Sequence, residues 1–274
     1  MSRMLILQLE RFGKLEPEEK LALNGVTLQP RRLPALSDFS REAEQDGRSI
    51  VLLTGVACRY VTLPGGQRQI LAYLLPGDFC DRYAGDRVLA DHAIGSLSGV
   101  QIVSVLRDDI SRLKQSFPRI ARALELSRSV EQATLRQWLS SLGNRNALER
   151  TAHLLCELFV RLRALGLAQG RTCVLPLRQA DLADALALSA VHLNRTLREI
   201  RRRKLAIFVR HQLGIWDWRA LQAVCAFRPD YLFAGAPPRF DESRDDLECG
   251  PAEVPLRTAK QGEVAPDQKE MFQV

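Results

Sequence analysis

The spacing of hydrophobic positions changes twice along this chain. The first 47 residues are polar and mixed, with a short helix predicted at Pro17–Leu23 and irregular chain around Pro30–Pro34. Five short runs rich in Val, Ile, Leu and Tyr follow: Ser49–Leu53, Ala57–Leu63, Arg68–Leu75, Ile94–Leu97 and Gln101–Leu106. Turn signals separate several of them, at Thr54-Gly55, Pro64-Gly65-Gly66, Pro76-Gly77-Asp78 and Ser98-Gly99. Short apolar runs punctuated by Gly and Pro read as strands, and several in succession predict a small barrel or β-roll.

The period then lengthens to that of a helix. Asp108-Asp109 opens a short helix ending near Phe117, and Pro118 starts a new one, a position where a missing N–H costs nothing. At 100° per residue, Ile120, Leu124, Leu135, Trp138 and Leu142 share one face of a long helix that breaks at Gly143-Asn144. Two readings fit this stripe: packing within one chain, or a seam between two chains. Ser127 and Glu131 lie beside it, and polar residues suit a seam better than a fully buried core. A further helix spans Ala147–Leu165, with Leu154, Leu155, Leu158, Phe159 and Leu162 as its apolar face and Gly166 as its stop. A short strand at Arg171–Leu175 comes next.

Residues 176–205 carry the most specific pattern. A first helix is predicted from Arg178 to Leu186, then a turn at Ala187-Leu188, then a second helix with Ser189 at its N-cap. Leu193, Leu197 and Ile200, at i, i+4 and i+7, face a core. His192, Asn194, Arg195, Arg198 and Arg202 occupy the other surface. Ile207–Ile215 reads as two short strands. A short helix, a tight turn, a longer helix with a basic outer face and a following hairpin form the layout of a winged helix-turn-helix. The chemistry fits, since an arginine fork matches the paired acceptors of guanine in the major groove. Arg195 is therefore the expected base reader. Ser189 and the free N–H groups behind it suit a phosphate, Arg178, Gln179, His192 and Asn194 suit phosphate or base edges, and Arg198 and Arg202 supply sequence-blind attraction. The competing reading is two short helices with an ordinary solvated basic face.

Charge decides between them. Residues 111–215 hold 19 Lys and Arg against 7 Asp and Glu, a net of +12, whereas residues 1–110 are at −1 and residues 216–274 at −4. A basic segment between neutral and acidic neighbours points to a polyanion, double-stranded DNA before a membrane. No run of about 18 apolar residues exists to span a bilayer, and no secretory signal is evident, so a cytoplasmic location is expected. The six cysteines are scattered, without metal-ligand spacing. No metal, cofactor or catalytic constellation is predicted. Trp216–Phe227 reads as an extra helix, and the Pro-, Gly- and acid-rich chain beyond Phe233 as a disordered tail.

These motifs resemble those of the Crp–Fnr family of bacterial transcription regulators. Leu177–Leu205, with Gln179, Leu182-Ala183, Leu186, Ser189, Asn194-Arg195 and Leu197, looks like the family's helix-turn-helix. Gly47–Leu106 looks like its cyclic-nucleotide-binding-type β-roll, with Tyr73-Leu74-Leu75-Pro76-Gly77-Asp78-Phe79 the most typical piece. The resemblance implies an α+β chain in four parts. A β-roll sensor domain covers 1–110, a short helix plus a long dimerisation helix 111–146, the winged DNA-binding domain 147–233, and the tail 234–274. It also implies a homodimer joined through Ile120, Leu124, Leu135, Trp138 and Leu142, with RNA polymerase as a further candidate partner.

Departures from the family pattern bear on mechanism. Ala187 stands where the family turn usually has Gly, at a cost of about 1 kcal/mol if left-handed. Ala190 and Val191 replace an Arg and an acidic residue of members that read guanine at the helix start, so a different operator is expected. Counting on from Phe79, the positions of the nucleotide-binding Gly-Glu and Arg-Ser pairs hold Asp81-Arg82 and Asp91-His92, which disfavours cyclic AMP. No cysteine precedes Cys58, so an N-terminal cysteine cluster is absent too. Cys58, Cys80, Arg82, Asp91 and His92 remain as a candidate sensor pocket, for a thiol or haem chemistry or for none. The alternative function is a ligand- or redox-sensing interaction protein with residual non-specific DNA binding.

Overall fold

The computed structural model describes residues 3–39, 47–80 and 91–233. The acidic tail and Arg82 lie outside the described residues. Two three-stranded antiparallel sheets build the N-terminal half. One has the order β1-β6-β2, from Arg31–Leu33, Val100–Leu106 and Arg48–Thr54; the other the order β4-β3-β5, from Arg68–Leu74, Ala57–Thr62 and Ala93–Ser96. Ile50, Leu52, Ala57, Leu74, Ile94 and Ile102 fill the space between them. Strand β2 does not alternate apolar with polar, because Ile50–Leu53 are buried on both faces. Val51 and Leu53 point away from the roll into a second cluster with Val103 and Val105 of β6, covered by helices. A continuous apolar run is what a two-sided strand requires.

The covering helices are α1 (Arg3–Glu10), α2 (Pro17–Gly25), α3 (Arg107–Ser116) and the 27-residue α4 (Pro118–Asn144). Helix α1 and strand β1 fall in the stretch whose sequence pattern predicts neither. Leu5 and Leu9 of α1 enter the second cluster, and its backbone presses on the Pro76-Gly77 turn. A Cβ on Gly77 would come within 2.4 Å of the Met4 carbonyl, and Gly77 has a φ of +92°, so only glycine fits there.

Helix α4 differs from the expected seam. Ile120 and Leu124 are fully buried in this chain's own core beside Leu5, Leu9 and Val51. Trp138 is also internal. Its ring meets Tyr73 edge-on at 5.6 Å, and its Nε1 donates to Glu157 Oε2 at 3.0 Å. Leu135, by contrast, is exposed, and Leu142 half-buried. The apolar stripe has the expected spacing, but much of it is covered by the roll and by the helix that follows.

That helix, α5 (Ala147–Ala164), starts at Asn146, whose side chain accepts from the Glu149 N–H while Glu149 returns the bond, a capping box. Residues 151–160 are all buried, so α5 is the central post of the C-terminal half. Around it stand α6 (Gln179–Leu186), α7 (Ala190–Arg202), α8 (Trp218–Cys225) and a four-stranded sheet of order β7-β8-β10-β9. The strands are Ala168–Gln169, Thr172–Val174, Gln212–Ile215 and Ala206–Val209. Arg210 and His211 turn the β9–β10 hairpin with φ of 49° and 64°, as a two-residue turn matched to strand twist demands.

Candidate nucleic-acid interface

The reading element is assembled by local capping. The Asp181 carboxylate accepts from the Arg178 backbone N–H (2.9 Å) and from its guanidinium (2.8 and 3.0 Å), fixing the start of α6. Arg178 and Arg68 hold this fully buried carboxyl below its usual range against the opposing effect of burial. Helix α6 ends on Ala187 in the left-handed conformation (φ 50°, ψ 47°), and the Ala187 and Leu188 N–H groups return to the Ala183 carbonyl. The turn thus keeps its shape without glycine, and the chain bears the cost expected for an alanine there. Ser189 Oγ accepts from the His192 N–H at 3.2 Å and opens α7.

Helix α7 turns Leu193, Thr196 and Ile200 inward, all buried. Val191, Arg195 and Arg198 point outward, and the arginines make no ion pair among the described residues. Asn194 Nδ2 donates to Gln179 Oε1 at 3.3 Å, so these two polar side chains tie the two helices together at the outer edge. Arg202 is exposed but engaged: it donates two 2.8 Å bonds to Glu199, which also accepts from Arg203 at 2.6 Å. The two guanidiniums pull the Glu199 carboxyl down to about 2. Ser189, His192, Arg195 and Arg198 therefore lie on one open face, whereas Arg178 and Arg202 are committed to intramolecular carboxylates.

The reading domain is docked on the β-roll. Arg68 of β4 donates to Asp181 (2.6 Å) and Asp184 (2.8 Å) of α6, and the Tyr73 hydroxyl donates to the Asp181 carbonyl at 2.9 Å. On the other side of Tyr73, Arg161 of α5 donates to Asp78 (2.9 Å) and to the Tyr73 carbonyl (3.1 Å). Glu157 lies fully buried next to it and accepts from Trp138 and from the Tyr231 hydroxyl, both at 3.0 Å. None of these residues other than Trp138 stands out in the sequence as a site. The one available signal is a charged residue inside an apolar run, as at Arg59 in β3 and Glu157 in α5.

A cavity of about 370 Å³ opens between α1, the β3–β4 hairpin, α4 and Arg161. Its charged groups are mostly paired. Arg59 donates to Glu131 and to the Phe79 and Cys80 carbonyls at 3.0 Å. Arg11 donates to Gln8 and to the Leu232 carbonyl, and burial near Arg161 lowers its guanidinium to about 10. Of the residues grouped as a sensor pocket, the four that are described, Cys58, Cys80, Asp91 and His92, are not brought together here. Asp91 and His92 pair with each other at 2.5 Å and line the cavity. Cys58 and Cys80 do not: both are fully buried in separate apolar clusters, and burial pushes the Cys58 thiol up to about 12. A thiol that buried and that weakly acidic is inert.

Residues 149–224 match the family model described as a Crp-like helix-turn-helix domain. The chain is 28% identical over 214 residues to the transcriptional activatory protein AadR of Rhodopseudomonas palustris, covering 78% of this chain and 88% of that one. It is 29% identical over 176 residues to the nitrogen fixation regulation protein FixK of Bradyrhizobium diazoefficiens, covering 64% and 73%. The solved structure of FixK2 from Bradyrhizobium japonicum superposes with a TM-score of 0.64 at 22% identity, over 74% of this chain and 99% of that one. A winged helix-turn-helix carried on a β-roll and a long connecting helix defines a DNA-binding regulator. Residues 149–224 are thus a Crp-like helix-turn-helix, and the chain as a whole is similar to regulators of the Crp–Fnr type. No helix among the described residues is long and apolar enough to cross a membrane.

Proposed function

We propose that this chain binds a near-palindromic operator as a homodimer, places one α7 per subunit in the major groove, and does so without control by cyclic AMP. The observation that carries the reading is the outer face of α7, where Arg195 and Arg198 stand exposed with no carboxylate among the described residues to neutralise them. Free arginines on a capped helix of this layout suit a guanine edge and the neighbouring phosphates. Relatives named as activators favour activation, which implies a contact with RNA polymerase.

The dimer seam we propose is shifted from the stripe read in the sequence. Leu135 and Leu139 are 47% and 72% exposed, and with Leu142 they repeat at i, i+4 and i+7 along the open side of α4. That is the spacing at which two helices interlock, and it leaves Ile120, Leu124 and Trp138 to the chain's own core. Against cyclic AMP stand the carboxylates of the cavity. Asp91, Glu131 and Asp78 face it, and Arg59 and Arg161 are already bound to the latter two. Arg11 and Arg128 also line the cavity, so a cyclic phosphate would take its counter-ion from them or break one of those pairs, and in either case it would sit against three carboxylates.

Selection from random duplexes tests the function directly. A two-fold symmetric site with half-site centres about one helical turn apart is expected. Recovery of no preferred sequence would leave the interaction-protein alternative standing. Leu139→Asp should turn a sedimenting dimer into a monomer without lowering the monomer's melting temperature. Micromolar, saturable calorimetric binding of cyclic AMP would overturn the third part.

A further inference from the structure

Val191 is 74% exposed, and no large apolar side chain among the described residues is more exposed. It occupies the second position of α7, in the first turn after the Ser189 cap, on the side opposite Leu193 and Ile200. Arg195 and Arg198 follow it at i+4 and i+7, so one valine heads a row of otherwise cationic side chains on the outward face. Nothing among the described residues covers it, and Ala190 beside it is too small to do so.

The first turn of a reading helix is the part that comes nearest the floor of the major groove. That floor is made of hydrogen-bond donors and acceptors with one apolar exception, the C5 methyl group of thymine. A valine cannot pair with any of the polar edges and would desolvate them at a cost. Against the methyl it makes a contact that removes apolar surface from water on both sides. Its β-branched side chain holds a single rotamer in a helix, so little freedom is given up on binding.

We propose that Val191 is a specificity-determining residue that reads the C5 methyl of one thymine in each half-site. This rests on the operator-binding function proposed above, and the experiment separates the two. Starting from the selected operator, each thymine of the half-site is replaced in turn by deoxyuridine, which removes that methyl and leaves base pairing intact. Affinity is measured by fluorescence anisotropy for the wild-type protein and for Val191→Ala. One thymine should emerge at which removal of the methyl weakens wild-type binding about fourfold per half-site, the worth of one buried methyl-sized group. Val191→Ala should bind the thymine operator correspondingly less well and be indifferent to deoxyuridine at that position. Its melting temperature should be unchanged, because the side chain is 74% exposed and packs against little among the described residues. Failure of the wild-type protein to select any operator would strike the function and, with it, this assignment. Selective binding with no deoxyuridine-sensitive thymine, or with the same sensitivity in Val191→Ala, would overturn the assignment alone.

Discussion

Arginines behave in opposite ways in two regions of this molecule. Where the β-roll meets α4 and the reading domain, Arg59, Arg68 and Arg161 are each held by carboxylates, two of them by carbonyls as well: Arg59 by Glu131 with the Phe79 and Cys80 carbonyls, Arg68 by Asp181 and Asp184, and Arg161 by Asp78 and Glu157 with the Tyr73 carbonyl. On the outer face of α7, Arg195 and Arg198 have no such partner among the described residues. Burial makes the difference. A guanidinium taken out of water must recover its hydration from fixed acceptors, so the junction arginines are structural. A guanidinium left in water need not, and a row of them on a helix is a surface waiting for phosphates. Net charge alone, +12 over residues 111–215, does not distinguish the two uses.

The largest expected effect lies at the junction. Arg161→Ala removes the cation beside Glu157, which has no exposed surface and whose carboxyl burial already pushes above its usual range. It also strips Asp78 and the Tyr73 carbonyl of a donor. A drop of about 3–5 kcal/mol in urea unfolding is expected, as for breaking a buried pair. Adding Glu157→Gln should restore part of it, since the uncompensated charge is then gone. A midpoint unchanged by Arg161→Ala would mean that the junction pairs do not stabilise the fold and that the contrast with α7 is superficial.

The junction is the part least legible in the sequence. The strands, the long helix and the helix-turn-helix are readable because each is a local pattern: a period, a cap at Ser189, a stop at Gly166. Arg161 and Asp78 are 83 positions apart, and Arg68 and Asp181 are 113 apart; no local spacing reveals either pair. The stripe on α4 is legible as a stripe, but period alone does not say what covers it. Ile120, Leu124 and Trp138 face this chain, while Leu139, next to Trp138 in the sequence, is 72% exposed. Helix α1 leaves little trace because eight residues give only about two turns of periodicity. Of the expected sensor pocket, Cys58 and Cys80 group with His92 by chemistry alone: Cys58 lies on β3, whose first three residues are all buried, and Cys80 packs in the apolar cluster between the sheets.

A second test of the buried region uses pH. His153, buried on α5, stacks on Tyr231 and meets the Phe227 ring edge-on. Burial, and to a lesser degree Arg145, lower its pKa from 6.5 to about 4. The unfolded chain therefore takes up a proton at His153 before the folded one does. Stability from this group is complete above pH 6.5 and falls away as pH drops toward 4, by about 3 kcal/mol in all. His153→Gln should flatten that part of the stability–pH curve, whatever it does to stability at pH 7. An acid limb identical in the variant would show that other groups carry it.

On the reading face the effects should appear in DNA binding and not in folding. Arg195→Ala should lower affinity for the selected operator by about 1–3 kcal/mol and relax one base position in each half-site. Its melting temperature should match the wild type, because the side chain has no ion-pair partner among the described residues. A fall in melting temperature comparable to that of Arg161→Ala would erase the distinction between free and engaged arginines.

The smallest effect separates two arginines on the same helix. Arg198 is exposed and has no ion pair among the described residues, whereas Arg202 commits its fork to Glu199, which Arg203 also holds. If free charge is what the duplex recruits, Arg198→Ala should reduce the slope of log affinity against log salt by about one unit for each phosphate it ceases to neutralise. Arg202→Ala should change it much less. Removing Arg202 leaves Glu199 paired with Arg203, and the Arg202–Glu199 pair presents little net charge to a phosphate in the first place. The measurement is an anisotropy titration of each variant at several salt concentrations against the same operator. Equal slopes for the two variants would mean that Glu199 releases Arg202 when DNA arrives. The ion pair would then be a resting state of the free protein, and Arg202 would belong with Arg195 and Arg198 in the interface.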